Sequence, residues 1–215
     1  MNKETLKRIF DFLEKKGEHR GPLFWKHKNN IPLTDEELNI EGNLDLSDTN
    51  ITSLPEGFKV GGSLNLFDSK IESLPEGLIV GEHLTLTYSR IKSLPKGLQV
   101  GKDLVLSNTS IKMLPEDLDV KGSIDLIGSN IKFLSKGFIV YGYLDLTDTE
   151  LTSLPEGLKV GKWLSLSGSK ITSLPKGLEV GDDLFISWTT LTKYTDDELR
   201  GMIKPGFIKG EIVRK

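Results

Sequence analysis

Few side chains in this sequence are placed to do chemistry. There is no cysteine among the 215 residues, which removes disulfides, thiolate zinc ligation and thiol nucleophiles together. The three histidines, His19, His27 and His83, stand at no metal-binding spacing, and no nucleophile lies beside a base in a recognisable motif. Asp103 follows His83 by 20 residues; if the fold stacks residues at that interval, the two form either an acid–base dyad or an ordinary surface contact. Asp125, Asp145, Asp148 and Glu150 concentrate carboxylates in the middle of the chain. Oxygen ligands suit a hard divalent cation, but such a site needs a loop that fixes their geometry, and no such motif is present. The other reading is a solvated surface attractive to a basic partner. The residue chemistry therefore predicts a protein that is not an enzyme, with no catalytic residues, no metal and no cofactor.

The interval of 20 residues is set by the chain itself. The phrase SLPxGLxVG at residues 153–161 returns at 173–181, and its leucine recurs without insertion at Leu54, Leu74, Leu94, Leu114, Leu134, Leu154 and Leu174. Self-similarity at so short a period predicts stacked repeats rather than a single globular core. Apolar columns start at Leu44, Leu46 and Ile51 and run to Leu184, Ile186 and Leu191. The L-x-L alternation reads as a short strand with two side chains facing inward. One strand per coil has no partner within its own coil, so it pairs with the same strand of the next, and a parallel sheet results. On the return path Pro55 and its equivalents fix φ and remove a donor, while Gly57, Gly61 and their equivalents permit tight turns or close approach of coils. That path is expected to be extended, with Leu78, Val80 and their counterparts closing the core from the far side.

A hydroxyl column accompanies the leucines at Thr49, Ser69, Ser89, Thr109, Ser129, Thr149, Ser169 and Thr189. Where the chain leaves the sheet, backbone groups lose their ladder partners, and small donor–acceptor side chains would satisfy them from coil to coil. The column is expected to be structural.

Both ends break the period. Leu6, Ile9, Phe10 and Leu13 fall on one face of a helix over residues 3–16, with Gly17 after it as C-cap. Two readings fit: a cap over the first coil, as stacked repeats require, or a helix that binds a partner or a membrane surface. Thr34 with Glu37, and Thr195 with Glu198, are capping-box pairs that predict a helical turn at each end of the array. The expected organisation is an N-terminal helix and linker over 1–30, an array over 31–203 with degenerate first and last coils, and a basic tail over 204–215.

The net charge of −3 hides an asymmetry. Residues 1–30 carry eight Lys/Arg against four Asp/Glu, and residues 204–215 carry four against one, which leaves the array near −10. An acidic array is a poor match for a phosphate backbone, so nucleic acid is not an expected partner. No run is apolar and long enough to span a bilayer, and the N-terminus lacks the apolar core of a signal peptide. Together with the missing cysteine, this points to the cytoplasm.

The segments LSLSGSKITSLP and LDLSDTNITSLP resemble the leucine-rich repeat pattern L-x-L-x-x-N-x-L followed by x-x-L-P, over roughly residues 31–203. The sequence departs from it in two ways: the family's Asn is Ser or Thr throughout, and the leucine expected three residues before L-x-L is Gly, Lys or Tyr. The short variant is similar to repeats of phage, giant-virus and bacterial proteins. What the resemblance implies is a curved solenoid that binds partners, usually proteins, on its concave sheet, and no enzymatic activity; a phage origin would place the protein in the virion instead of the cytoplasm.

Outward strand positions are free of core demands, so function is expected there. The candidates are Tyr143 and Trp163, neighbours in one column; Phe185 and Trp188 on the last coil; a smaller set of Phe67, His83, Tyr88 and Val105; and the acidic Asp125 and Asp145. The C-terminal aromatics are either interface anchors or the seat of the tail folded over them. The functional expectation is a scaffold that binds a protein partner through its sheet, with aromatics supplying contact area and carboxylates orientation. The alternative is a structural component of a larger assembly such as a phage particle, held by its N-terminal helix and C-terminal tail.

Overall fold

A computed structural model describes residues 33–214, so the helix expected over 3–16 lies outside the described residues. These residues form a parallel β-solenoid whose coils repeat every 20 residues. On one side, here the front, nine two-residue strands from Leu44–Asp45 to Ile212–Val213 make a single parallel sheet in chain order. Register advances by one period per strand, Leu44 opposite Leu64 and Leu64 opposite Leu84. At a parallel spacing of about 4.8 Å the sheet is about 38 Å long. Its leucines fill the interior with those of the return path: Leu64, Leu66, Ile71 and Leu78 are all completely buried, as are their equivalents in most coils. Among the described residues no helix is long and apolar enough to cross a membrane.

The return path carries a second short strand per coil, beyond the one that the L-x-L pattern predicts. Ile79–Val80 pairs in parallel with Lys59–Val60 on one side and Gln99–Val100 on the other. The cause is the same as in front: an extended backbone that recurs at a fixed interval faces its own donors and acceptors one coil away. This back ladder comes in two pieces, five strands from Asn39–Ile40 to Asp119–Val120 and four from Ile139–Val140 to Phe207–Ile208.

Glycine makes the close stacking possible. The amide of Gly81 donates to the carbonyl of Val60 at 2.8 Å, and a Cβ on Gly81 would stand 2.0 Å from the carbonyl oxygen of Gly61. Gly101, Gly161 and Gly181 meet the coil before them at 2.0 to 2.1 Å in the same way.

The hydroxyl column is buried from Ser69 onward, but it does not link coil to coil. Thr49, Ser69, Thr109, Thr149 and Thr189 each donate to the carbonyl three residues back in their own coil, at 2.7 to 2.8 Å. The backbone makes the link instead, as when the Lys70 amide donates to the Thr49 carbonyl at 3.0 Å. The hydroxyl instead reaches the carbonyl of the buried leucine or isoleucine that follows the strand. The Oγ atoms of Ser89, Ser129 and Ser169 have no partner, although their amides reach the same carbonyl at 3.0 Å. The γ-methyl of threonine restricts χ1, consistent with donation by every threonine in the column and only one serine.

Both capping boxes form. Thr34 caps Asp35–Leu38 and Thr195 caps Asp196–Met202, each exchanging bonds with the glutamate three residues on. The C-terminal tail belongs to the solenoid. Phe207–Ile208 adds to the back ladder beside Glu179–Val180, and Ile212–Val213 adds to the front sheet beside Leu184–Phe185. Two arginines fasten it: Arg200 donates to the carbonyls of Ile208 and Gly210, and Arg214 pairs with Asp196 at 2.6 Å while donating to the Tyr194 carbonyl.

Glycines at different places in this fold should respond oppositely to a methyl group. Gly81→Ala forces backbone apart and should lower stability by about 2–4 kcal/mol. Gly201→Ala, in the last helix with open space around its Cα, should raise it by about 0.5–1 kcal/mol. Urea unfolding of the two variants beside the wild type checks both signs.

Candidate functional site

The front sheet has three outward columns and a turn column at its edge, and most residues in them have a structural task. In the first column the side chain accepts the amide of the equivalent residue one coil on. The Ser63 amide donates to Asn43 Oδ1 at 2.8 Å, the His83 amide to Ser63 Oγ at 3.4 Å, the Asp103 amide to His83 Nδ1 at 3.4 Å and the Ser123 amide to Asp103 Oδ1 at 2.7 Å. Tyr143 donates to Ser123 Oγ at 3.2 Å, and Glu211 to Asp183 Oδ1 at 2.8 Å. The need is local: the carbonyls here already serve the front ladder, as when His83 O accepts from the Leu64 amide, and the amides require another acceptor. Tyr143 and Trp163 interrupt this chain, because neither ring offers an acceptor at that place.

The second column does a different job. The carboxylates of Asp45, Asp125 and Asp145, each at 2.9 Å, and the amide oxygen of Asn65 at 3.1 Å accept the backbone N–H two residues ahead. These are Asx turns that start the bend after the strand. Asp125 also accepts from Ser107 Oγ at 2.8 Å, and Asp145 from Thr147 Oγ1 at 2.5 Å. Asp125 and Asp145, expected to orient a partner, thus each have one oxygen committed to holding the turn. Val105 and Phe185 are the apolar exceptions in this column.

In the turn column the backbone is left-handed in all eight coils. Asp48, Asp68, Asn108, Asp148, Gly128 and Gly168 hold φ between 47° and 67°, as suits residues that tolerate this region. Tyr88 and Trp188 hold φ of 59° in the same column, where a bulky side chain costs about 1–2 kcal/mol. Trp188 is nevertheless 91% exposed, so burial does not compensate. A residue in a disfavoured conformation, with its ring in water, is an observation that points to function.

The candidates form two groups. Tyr143 and Trp163 stack with ring centroids 4.2 Å apart and planes 3° from parallel, and Phe185 meets Trp163 edge-on at 5.9 Å. Beside them lies a shallow depression of about 260 Å³ lined by Asp145, Trp163, Ser165, Ser167, Phe185 and Ser187. The tail runs alongside Phe185 as the next strand and leaves Trp188 uncovered, so the aromatics are not its seat. Toward the N-terminus Phe67 and Tyr88 meet edge-on at 5.8 Å. His83 Nδ1 sits 3.2 Å from Asp103 Oδ2 in a partly exposed pair; since the same nitrogen lies within reach of the Asp103 amide, the contact belongs to the first-column chain. Asp148 and Glu150 do not join Asp125 and Asp145: Asp148 occupies the turn column, and Glu150 pairs with Lys170. Among the described residues no three His, Asp or Glu side chains are grouped to hold a metal ion.

Electrostatics favour a cation at the C-terminal group. Burial raises the Asp145 carboxyl above its ordinary range, and the Asp125 charge adds to this while bonds from Thr147 and Ser165 offset it. Burial also raises the Tyr143 phenol, with Asp125, Asp103 and Asp145 contributing. A positive group placed over the stacked rings would relieve the crowded carboxylates.

Sequence columns had marked the aromatics but not their meaning. The run Asp, Asp, Asn, Gly, Asp, Gly in the turn column was the readable signal of a left-handed conformation, against which Tyr88 and Trp188 stand out. Trp188→Asn should raise stability by about 1 kcal/mol by relieving the backbone, whereas Asp103→Ala, which strands the Ser123 amide, should lower it by about 1 kcal/mol; denaturant midpoints check the pair. Searches of known proteins return no family model and no curated protein that matches this chain.

Proposed function

We propose that the chain is a leucine-rich repeat protein acting as a non-catalytic scaffold, and that it binds a protein partner through the aromatic group on the C-terminal half of its front sheet. The observation that carries this reading is the departure of Tyr143, Trp163, Phe185 and Trp188 from the residue types that suit the hydrogen-bonding or backbone role of their columns. Tyr143, Trp163 and Phe185 give up a hydrogen bond that neighbours in their columns supply, Trp188 holds a left-handed backbone that its ring disfavours, and with Asp145, Ser165 and Ser167 they present rings, hydroxyls and a carboxylate on a rigid support. Aromatic anchors on a preformed surface lose little conformational freedom on binding. The carboxylates of Asp125 and Asp145 select a partner that offers a lysine or arginine to the rings.

Tyr143→Ala with Trp163→Ala should remove partners captured from the native source by more than tenfold, about 1.4 kcal/mol or more, while circular dichroism shows an intact solenoid. Unchanged capture would overturn the choice of surface. Proton linkage supplies a second test. A carboxyl whose folded pKa is raised binds its proton more tightly in the native state, so the contribution of Asp145 to stability is fully present below the ordinary 3.8 and is lost as pH rises through the raised value. A basic partner prefers the ionised form, so binding should weaken as pH falls through that same window. Asp145→Asn preserves the acceptor oxygen of the turn and should flatten both dependences, measured by thermal melts and by binding as pH is raised from the ordinary carboxylate range to neutrality.

A further inference from the structure

The back ladder is split between Asp119–Val120 and Ile139–Val140, and several departures from the repeat meet at the split. Lys121 and Tyr141 replace the glycine that elsewhere lets coils touch, and Asp117 replaces a glycine whose equivalents hold φ between 67° and 76°. Ser135 stands where the other coils have proline, and Met113 and Phe133 stand where they have serine. The effect is a slot. No backbone hydrogen bond joins residues 115–121 to residues 135–141, although bonds close the stack just before, from Lys132 to Lys112, and just after, from Gly142 to Gly122.

Bonds that neighbouring coils make are missing here. Gln99 and Gly101 donate to Leu78 and Val80, and Lys159 and Gly161 donate to Phe138 and Val140. By the same pattern the carbonyls of Leu118 and Val120 on one lip, and the amides of Ile139 and Tyr141 on the other, lack ladder partners. The core is open beneath them. Phe58, Leu78, Leu98, Leu158 and Leu178 are completely buried, whereas Leu118 and Phe138 are only partly so. A cavity of about 250 Å³ reaches in as far as Ile124, walled by Leu118, Val120, Phe138, Ile139 and Tyr141 and, on its polar side, by Glu116, Asp119, Ser135 and Lys136. Ile139 and Tyr141 in its wall, and Met113 and Phe133, which bridge the two coils just before it, are each at least half exposed. Across it Lys121, held by Asp119 at 2.7 Å, places its ammonium 6.0 Å from the Tyr141 ring.

A hollow with an apolar floor and a polar side would suit many ligands, but one flanked by strand edges with open donors and acceptors selects an extended peptide. We propose that the split is a second binding site, which takes an extended peptide segment from a partner protein. The segment pairs in parallel with Asp119–Val120 and sets one apolar side chain in the cavity, as the return strand of the next coil does everywhere else in the ladder.

A labelled octapeptide LPEGLIVG, the sequence of residues 74–81 whose Ile79–Val80 occupies the equivalent place between other coils, serves as the probe. Fluorescence anisotropy should show it binding the full chain, and a scrambled octapeptide should not bind. The combined variant Asp117→Gly, Lys121→Gly and Tyr141→Gly restores the close-stacking residues and should weaken binding by at least about tenfold while raising the melting temperature. Hydrogen exchange on the wild type gives a test that does not depend on the variant's folding: the amides of Ile139 and Tyr141 should exchange faster than those of Lys159 and Gly161, and should slow when the probe is added. Protection of Ile139 and Tyr141 in the free protein overturns the proposal, as does equal binding by the variant or by the scrambled peptide. A dimer of the wild type that the triple variant abolishes would assign the split to a second copy of this chain, and also overturns it.

Discussion

Hydrogen bonds from one coil to the next, mostly between residues 19 to 21 positions apart, hold this molecule in shape. A coil of this length has two short extended segments and no partner for either within itself, so its backbone groups are satisfied by the coils before and after it. That requirement sets the rest. The coils approach until carbonyl oxygens lie where a Cβ would otherwise be, which demands glycine at residues such as Gly81 and Gly161. Constant register then brings each leucine over its equivalent and makes a continuous apolar interior out of repeats too small to bury one alone.

The same requirement distributes work among polar side chains. Amides that the ladders leave over are taken up by the column from Asn43 to Asp183, and the bend after the strand is held by Asx turns at Asp45, Asn65, Asp125 and Asp145. A face that looks like an assortment of polar residues is therefore mostly scaffold. What stands out against it is aromatic or aliphatic: Tyr143, Trp163, Phe185 and Trp188 in front, Met113, Phe133 and Tyr141 behind. In a repeat protein, natural sequences are expected to break a local rule at functional or strained positions, and here the rule can be read from neighbouring coils.

Much of this was legible in the sequence. The period, the inward columns, the extended return path and both capping boxes follow from spacing and residue type, because each depends on local geometry repeated without insertion. The aromatic group around Trp163 was legible for the same reason, since one period separates neighbours in a column. The role of Asp125 and Asp145 was not, because a carboxylate that accepts an amide two residues ahead and one that waits for a ligand look alike in a column. The direction of the hydroxyl bonds was also hidden, since reach within a coil and between coils depends on the bend. The split in the back ladder left a trace in Lys121 and Tyr141, but its consequence needs three dimensions: Lys121 alone is accommodated, with its amide still bonded to Val100 at 3.0 Å, and the ladder fails only where Tyr141 stacks on it.

That interruption also bears on how the chain comes apart. In a solenoid each coil is coupled only to its neighbours, and cooperativity is the product of those couplings. Elsewhere two ladders and a closed core join adjacent coils; between the coil ending at Lys121 and the one ending at Tyr141 the back ladder is missing, and the front sheet with the bonds from Lys132 to Lys112 and from Gly142 to Gly122 makes the join. Fraying that starts at either end therefore meets its natural stopping point there. Coupling between coils is weakest at that boundary, so the chain is expected to open in two unequal blocks that meet there.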